Sequence, residues 1–119
     1  MANDFKGVQS VGVTSVTTVY TAPATALGDA ANKDSIILEL DIANTTASAV
    51  TASAEVLDSS ANSGAGTDAY IVKDAPIPAG SSLQVISGQK VILETGDSIR
   101  VTASGACDVV CSILEDVNS

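Results

Sequence analysis

From Ile77 to Ser104 the chain is a succession of short apolar runs separated by turn-forming residues. Pro78-Ala79-Gly80 leads into residues 82–86, Ser87-Gly88-Gln89 separates that run from 90–93, and Glu94-Thr95-Gly96-Asp97 separates the next from 98–103. Each run is too short to build an amphipathic helix, and Val and Ile recur in all of them. Such punctuation predicts antiparallel strands joined by tight turns. It restricts the chain to an all-β fold: a single antiparallel β-sandwich of about eight strands, jelly-roll or Ig-like.

The rest of the chain fits this frame. Residues 13–21 read as the first strand, with Val16, Thr18 and Tyr20 on one face. In residues 35–44, Ile36, Leu38, Leu40 and Ile42 alternate with Ile37, Glu39, Asp41 and Ala43, which predicts one buried and one wet face. Asn44-Thr45-Thr46 then turns the chain into residues 50–57, its expected hairpin partner, with Val50, Ala52, Ala54 and Val56 on one face. Residues 68–73 form a short strand. Residues 74–78 cross over, because Pro76 and Pro78 are barred from a central strand. Residues 108–114 close the set. Residues 24–34 read as a loop with room for one Ala-rich helical turn, and residues 58–67 as a flexible polar loop. Gly64-Ala65-Gly66 precedes a strand instead of opening a helix, so it is not a phosphate loop. The expected organisation is an N-terminal arm (1–12) broken by Gly7 and Gly12, a sandwich domain (13–116) and a short tail (117–119).

A chain of 119 residues suffices for one domain with its own core. With no Trp, one Phe and two Tyr, that core is made of Val, Ile, Leu and Ala, which suits two closely facing sheets. Fourteen acids against five bases give a net charge of −9. Affinity for nucleic acid depends on neutralising phosphates, so neither nucleic acid nor an anionic membrane is an expected partner. Met1 to Lys6 lacks the charged and apolar regions of a secretion signal, and no apolar run approaches the ~20 residues of a membrane span. Synthesis and assembly in a cytoplasm are the expectation.

Catalytic chemistry finds no support. The chain has no His, the commonest base for an activated nucleophile and a usual metal ligand. No catalytic, cofactor-binding or metal-binding residues are assigned, and no cofactor is expected. On one strand Cys107 and Cys111 share a face about 13 Å apart at ~3.3 Å per residue. That is too far for a disulfide, which needs Cα atoms within roughly 7 Å. They read as buried thiols acting as small hydrophobes. Asp97 after Gly96 reads as a turn former, with a Ca²⁺ ligand set shared with Glu94 as the other reading. A carbohydrate platform would have to use Tyr20 and Tyr70.

The order of several segments resembles small virion proteins of tailed bacteriophages. The segments are Val19-Tyr20-Thr21-Ala22-Pro23-Ala24, residues 36–44, Tyr70-Ile71-Val72-Lys73, Ile77-Pro78-Ala79-Gly80-Ser81-Ser82-Leu83, residues 91–101 with Glu94-Thr95-Gly96-Asp97 at their centre, and residues 108–115. Together they cover roughly residues 13–116. The resemblance implies a non-enzymatic particle component, foremost a capsid decoration (cement) protein, a homotrimer seated on the major capsid protein or other virion proteins. A neck, tail or fibre component and a carbohydrate-binding β-sandwich module are the alternatives. Phe5, Val8, Val11 and Val13 are the candidate interface residues on the arm. Removal of residues 2–12 is expected to leave the sandwich folded and to weaken incorporation into particles.

Overall fold

A computed structural model describes residues 4–22, 34–58, 68–94 and 96–115. They form eight strands: β1 (Asp4–Val13), β2 (Thr17–Thr21), β3 (Ser35–Asn44), β4 (Val50–Leu57), β5 (Ala69–Ile77), β6 (Ser82–Leu93), β7 (Ser98–Ala103) and β8 (Cys107–Glu115). The strands make two antiparallel four-stranded sheets, ordered β1-β8-β3-β6 and β2-β7-β4-β5. Consecutive strands mostly alternate between sheets. This interleaved order is that of a jelly roll, which decides between the two sandwich topologies.

The core lies between the sheets. One side supplies Ile37, Leu40, Ile42, Ile86, Leu93, Val109 and Ile113, and the other Ala52, Ala54, Ile99 and Val101, all essentially inaccessible to solvent. The small side chains of β4 let the sheets approach closely, as a thin Val/Ile/Ala core requires. As expected, Val50, Ala52 and Ala54 point inward.

Five expectations are corrected. Residues 4–13 are not an arm: β1 pairs with β8 from Asp4↔Glu115 to Val13↔Cys107, with Gly7 inside the ladder and a bulge at Val11 and Gly12, where Gly12 takes left-handed backbone (φ 67°). Removing residues 2–12 would therefore strip a strand from the sheet, bare the edge of β8 and remove Val8, which packs against the core. Val13 is the buried end of β1 and not the start of a strand running to residue 21.

Second, β3 and β4 form no hairpin. They lie in opposite sheets, and β4 pairs instead with β5 and β7. The link between them crosses the sandwich edge around Asn44, which is buried. Its Nδ2 donates to the carbonyls of Ser48 (2.8 Å) and Ile77 (2.9 Å), and its Oδ1 accepts from the Thr46 amide (2.9 Å) and hydroxyl (2.8 Å). One side chain thus ties the end of β3 to the end of β5 across the two sheets.

Third, the strict alternation of β3 is broken. Ile37 opposes Ile113 and Glu39 opposes Ser112, so Leu38 is an inserted residue, a β-bulge. The insertion changes which residues face the core. Ile37, Leu40 and Ile42 are buried, while Ile36 and Leu38 are only half-buried.

Fourth, Ser87-Gly88-Gln89 is not a turn. β6 runs unbroken from Ser82 to Leu93, and Gly88, Gln89 and Lys90 bulge out opposite Leu38. Gly88 (φ 115°) and Lys90 (φ 58°) take left-handed backbone there. The Gln89 side chain replaces lost ladder bonds, accepting from the Ser87 amide and donating to the Val85 carbonyl, each at 2.9 Å. Pro76, expected in a crossover, lies in β5, where an edge strand tolerates it. The loop and helical turn expected at 24–34, most of loop 58–67 and the tail at 117–119 lie outside the described residues.

The bulge in β3 generates a prediction. Ile37→Ala should cost about 2–5 kcal/mol of stability, as for a fully buried aliphatic side chain. Ile36→Ala, one residue earlier on the half-exposed face, should cost less than about 1.5 kcal/mol. Urea unfolding of the two variants checks this. Equal costs would mean that the bulge does not switch the faces.

Candidate interaction surface

The two outer faces of the sandwich differ in character. On the β2-β7-β4-β5 sheet, Arg100 opposes Glu55 across β7 and β4, with Nε and Oε1 2.7 Å apart. Beside them Ser53 Oγ accepts from the Asp74 amide at 2.8 Å. These contacts are polar and satisfied among themselves, and Tyr70, opposite Glu55, stands half-exposed beside them.

The outer face of the β1-β8-β3-β6 sheet carries an apolar row. Phe5 on β1 opposes Leu114 on β8, Leu114 opposes Ile36 on β3, and Ile36 opposes Ile92 on β6. Four large apolar side chains thus lie side by side across the sheet. The two at its ends are the most open, Phe5 at 78% and Ile92 at 65% exposure. Contiguous apolar surface of this kind marks an interaction site more often than scattered single residues do.

Further along the same face the chemistry changes. Gln9, Val110, Asp41 and Gln84 form a parallel row. Asp41 Oδ1 is shut off from solvent and has no hydrogen-bond partner. Burial first, and the adjacent Glu39 carboxyl second, push the Asp41 carboxyl up to about 6. The face therefore offers an apolar strip beside one carboxyl, that of Asp41, which resists ionisation.

The sequence-predicted residues fall in different places. Phe5 and Val11 (80% exposed) stand on the outer side of β1, Val8 packs against the core, and Val13 is buried within it. The arm residues do not act as one anchor, because strand alternation sends them to both faces. Ile36, Ile92 and Leu114 complete the row that Phe5 begins, and no sequence pattern aligned them. Only the pairing register does.

The cysteines are free and buried, both facing the core from β8. Burial, and then Asp41, hold the Cys111 thiol up at about 12, and burial, then Asp108, raises that of Cys107. Both are therefore unreactive thiols at neutral pH. Tyr20 is in the core, where its hydroxyl meets Ser35 Oγ at 3.0 Å and donates to Glu115, itself 3.4 Å from Lys6 Nζ. Burial and the Glu115 hydrogen bond raise the Tyr20 phenol above its ordinary range. Tyr70 is exposed, with Lys73 Nζ 5.3 Å from its ring centre. The two tyrosines do not form one aromatic platform.

Asp97 closes the β6–β7 turn, its Oδ2 accepting from the Glu94 amide at 3.1 Å and its own amide donating to the Glu94 carbonyl at 2.9 Å. Carboxylate oxygens of Asp58, Glu94 and Asp97 lie within 4.8 Å of one another. Calcium takes six to eight oxygen ligands in roughly this space. Turn closure accounts for the position of Asp97, and three neighbouring acids do not by themselves make a metal centre. No cavity opens among the described residues.

Neither a protein-family model nor a curated protein matches the sequence. Solved structures do match the fold. A chain of the infectious bursal disease virus particle (Gx strain) superposes with a TM-score of 0.51 at 13% identity, over 99% of this chain and 32% of that one. A chain from the Gt strain gives 0.51 at 9% identity, over 96% and 32%. The VP2 subviral particle of the same virus gives 0.50 at 10%, over 96% and 33%. The chain spans about a third of the length of these relatives in structure. At such identities the likeness is one of fold: this chain has the jelly roll found in chains of a viral particle.

The Asp41 environment yields a pH prediction. The carboxyl titrates near 3.8 when unfolded and at about 6 when folded. The folded state therefore binds the extra proton between those values, and stability falls as pH rises through that window. Asp41→Asn, neutral at every pH, should flatten this fall and leave the variant more stable than the parent above pH ~6. Thermal unfolding of both proteins between pH ~4 and ~7.5 checks it. Parallel curves would exclude a raised Asp41 carboxyl.

Proposed function

We propose that this chain is a non-enzymatic structural protein of a virion, and specifically a capsid decoration protein of a tailed bacteriophage. It seats on the capsid lattice, on the major capsid protein, through the outer face of the β1-β8-β3-β6 sheet. The observation that carries this reading is the apolar row Phe5, Leu114, Ile36 and Ile92, which spans all four strands of one face, while the opposite face carries the Arg100–Glu55 pair and a single exposed aromatic, Tyr70. The jelly roll shared with chains of a viral particle supports a virion setting. The ordered resemblance over residues 13–116 supports the tailed-phage assignment. The chain is synthesised and joins the particle in the host cytoplasm.

The physical task is to bury surface across seams between capsid subunits. A row of side chains that is already rigid loses little entropy on docking, because strands and not loops present it. Repetition over a lattice turns a weak single contact into a stable coat. The carboxyl pair Glu39 and Asp41, beside the row, favours a partner whose basic side chains reach past an apolar centre.

Cryo-electron microscopy of particles from the source tests this. Density for the chain over the capsid lattice, with the β1-β8-β3-β6 face inward, is expected. Ile92→Glu should then lower the number of copies per particle at least roughly tenfold without changing the unfolding midpoint of the free protein. Density confined to neck, tail or fibres would replace decoration with an adaptor or receptor-facing role. Absence from particles would overturn the virion reading.

A further inference from the structure

We propose that two copies of this chain pair through the free edges of β1, in antiparallel register about Val8, to join their sheets into one eight-stranded sheet. Each sheet has two edges, and proteins normally guard them. Three of the four are guarded or short here. β6 is bent outward by its bulge at Gly88 and Lys90. β5 carries Lys73, Asp74 with left-handed backbone (φ 51°) and Pro76. β2 has only five residues.

β1 is different. It has ten residues and no Pro, among the described residues it pairs only with β8, and its one bulge, at Val11 and Gly12, lies near its end and leaves Asp4 to Ser10 in regular register. Alternate backbone amides and carbonyls of an edge strand point away from its partner and await another strand. A chain of net charge −9 repels its own copies over most of its surface. From Phe5 to Val13, β1 contains no acid, and its one charged side chain is Lys6. It is thus a long edge along which a second copy meets few carboxylates, Asp108, which accepts from the Gly12 amide at 3.0 Å, lying at its end.

The register follows from the same residues. Side chains of paired strands must share a face, so only registers that match odd positions with odd and even with even are allowed. Pairing about Val8 sets Phe5 against Val11 of the second copy, twice by symmetry, and Val8 against Val8. Phe5 and Val11, the two most exposed large apolar residues of the described chain, cover each other. Lys6 faces Ser10, so no like charges meet. The two-fold axis stands perpendicular to the sheet, so both apolar rows face the same side. The count is two, in place of the three implied by the phage resemblance. The pairing needs only the purified chain and does not rest on a virion location.

Light scattering and sedimentation over a concentration series of the full chain test this. A mass rising from one copy to two is expected. Phe5→Glu alone and Val11→Lys alone should each weaken the pairing roughly tenfold. Phe5→Glu combined with Val11→Lys in one chain should restore it, since position 5 then meets an opposite charge at position 11 of the other copy. In the unaltered protein, hydrogen exchange of β1 amides should slow as concentration rises. A single-copy mass throughout, a three-copy mass, failure of the double variant to restore pairing, or concentration-independent exchange in β1 would each overturn the proposal.

Discussion

The fold depends on β8 lying between β1 and β3. Its inward side chains, Cys107, Val109, Cys111 and Ile113, form the floor of the core, and its ladders hold the first and third strands in place. Asp4 pairs with Glu115, so this sheet closes only when nearly the whole chain is present. Such non-local pairing makes a jelly roll slow to form, because loop-closure entropy is spent before packing offsets it. The buried thiols belong to this floor. A small apolar side chain is what two closely spaced sheets accept, and burial in turn removes their reactivity.

Much of this was legible. The bounds of β3, β4 and β7 match the runs read from alternation and turn residues, because period-two patterning reports directly on a face buried by a facing sheet. What was not legible has two causes. Alternation cannot register an inserted residue, so the bulge at Leu38 reassigned every core position before it, and Ile37 replaced Ile36 inside. Its counterpart in β6 looked like a turn, since Gly88 carries the same signal whether a strand reverses or bulges. β1 was missed for a related reason. An edge strand beside solvent needs few inward residues, and its two glycines weigh against a strand although Gly7 sits within the ladder and Gly12 only marks a bulge near its end.

The candidate surface was legible only at one point. Phe5 stands out as the single Phe in a chain poor in aromatics. Ile36, Ile92 and Leu114 look like ordinary core residues of their strands, and three pairing registers are needed to bring them beside Phe5. Asn44 is the converse case. Its place in a turn was readable from the sequence, but its role at the junction of β3, β4 and β5 requires the carbonyl of Ile77, 33 residues away.

A shared jelly roll does not itself assign a role, since the same sandwich hosts unrelated functions. What distinguishes one such protein from another is how each surface is finished. Here the Arg100–Glu55 pair and the Ser53–Asp74 contact satisfy one face from within, leaving little for a partner to gain. The other face combines exposed apolar side chains with a carboxyl whose Oδ1 is buried without a partner. Desolvating an apolar row is favourable, whereas leaving the Asp41 Oδ1 without a donor is costly in proportion to its burial. A ligand that covers the first and donates a hydrogen bond to the second relieves both at once. Asymmetry between the faces, more than the topology they share, is therefore what the proposed docking by one side rests on.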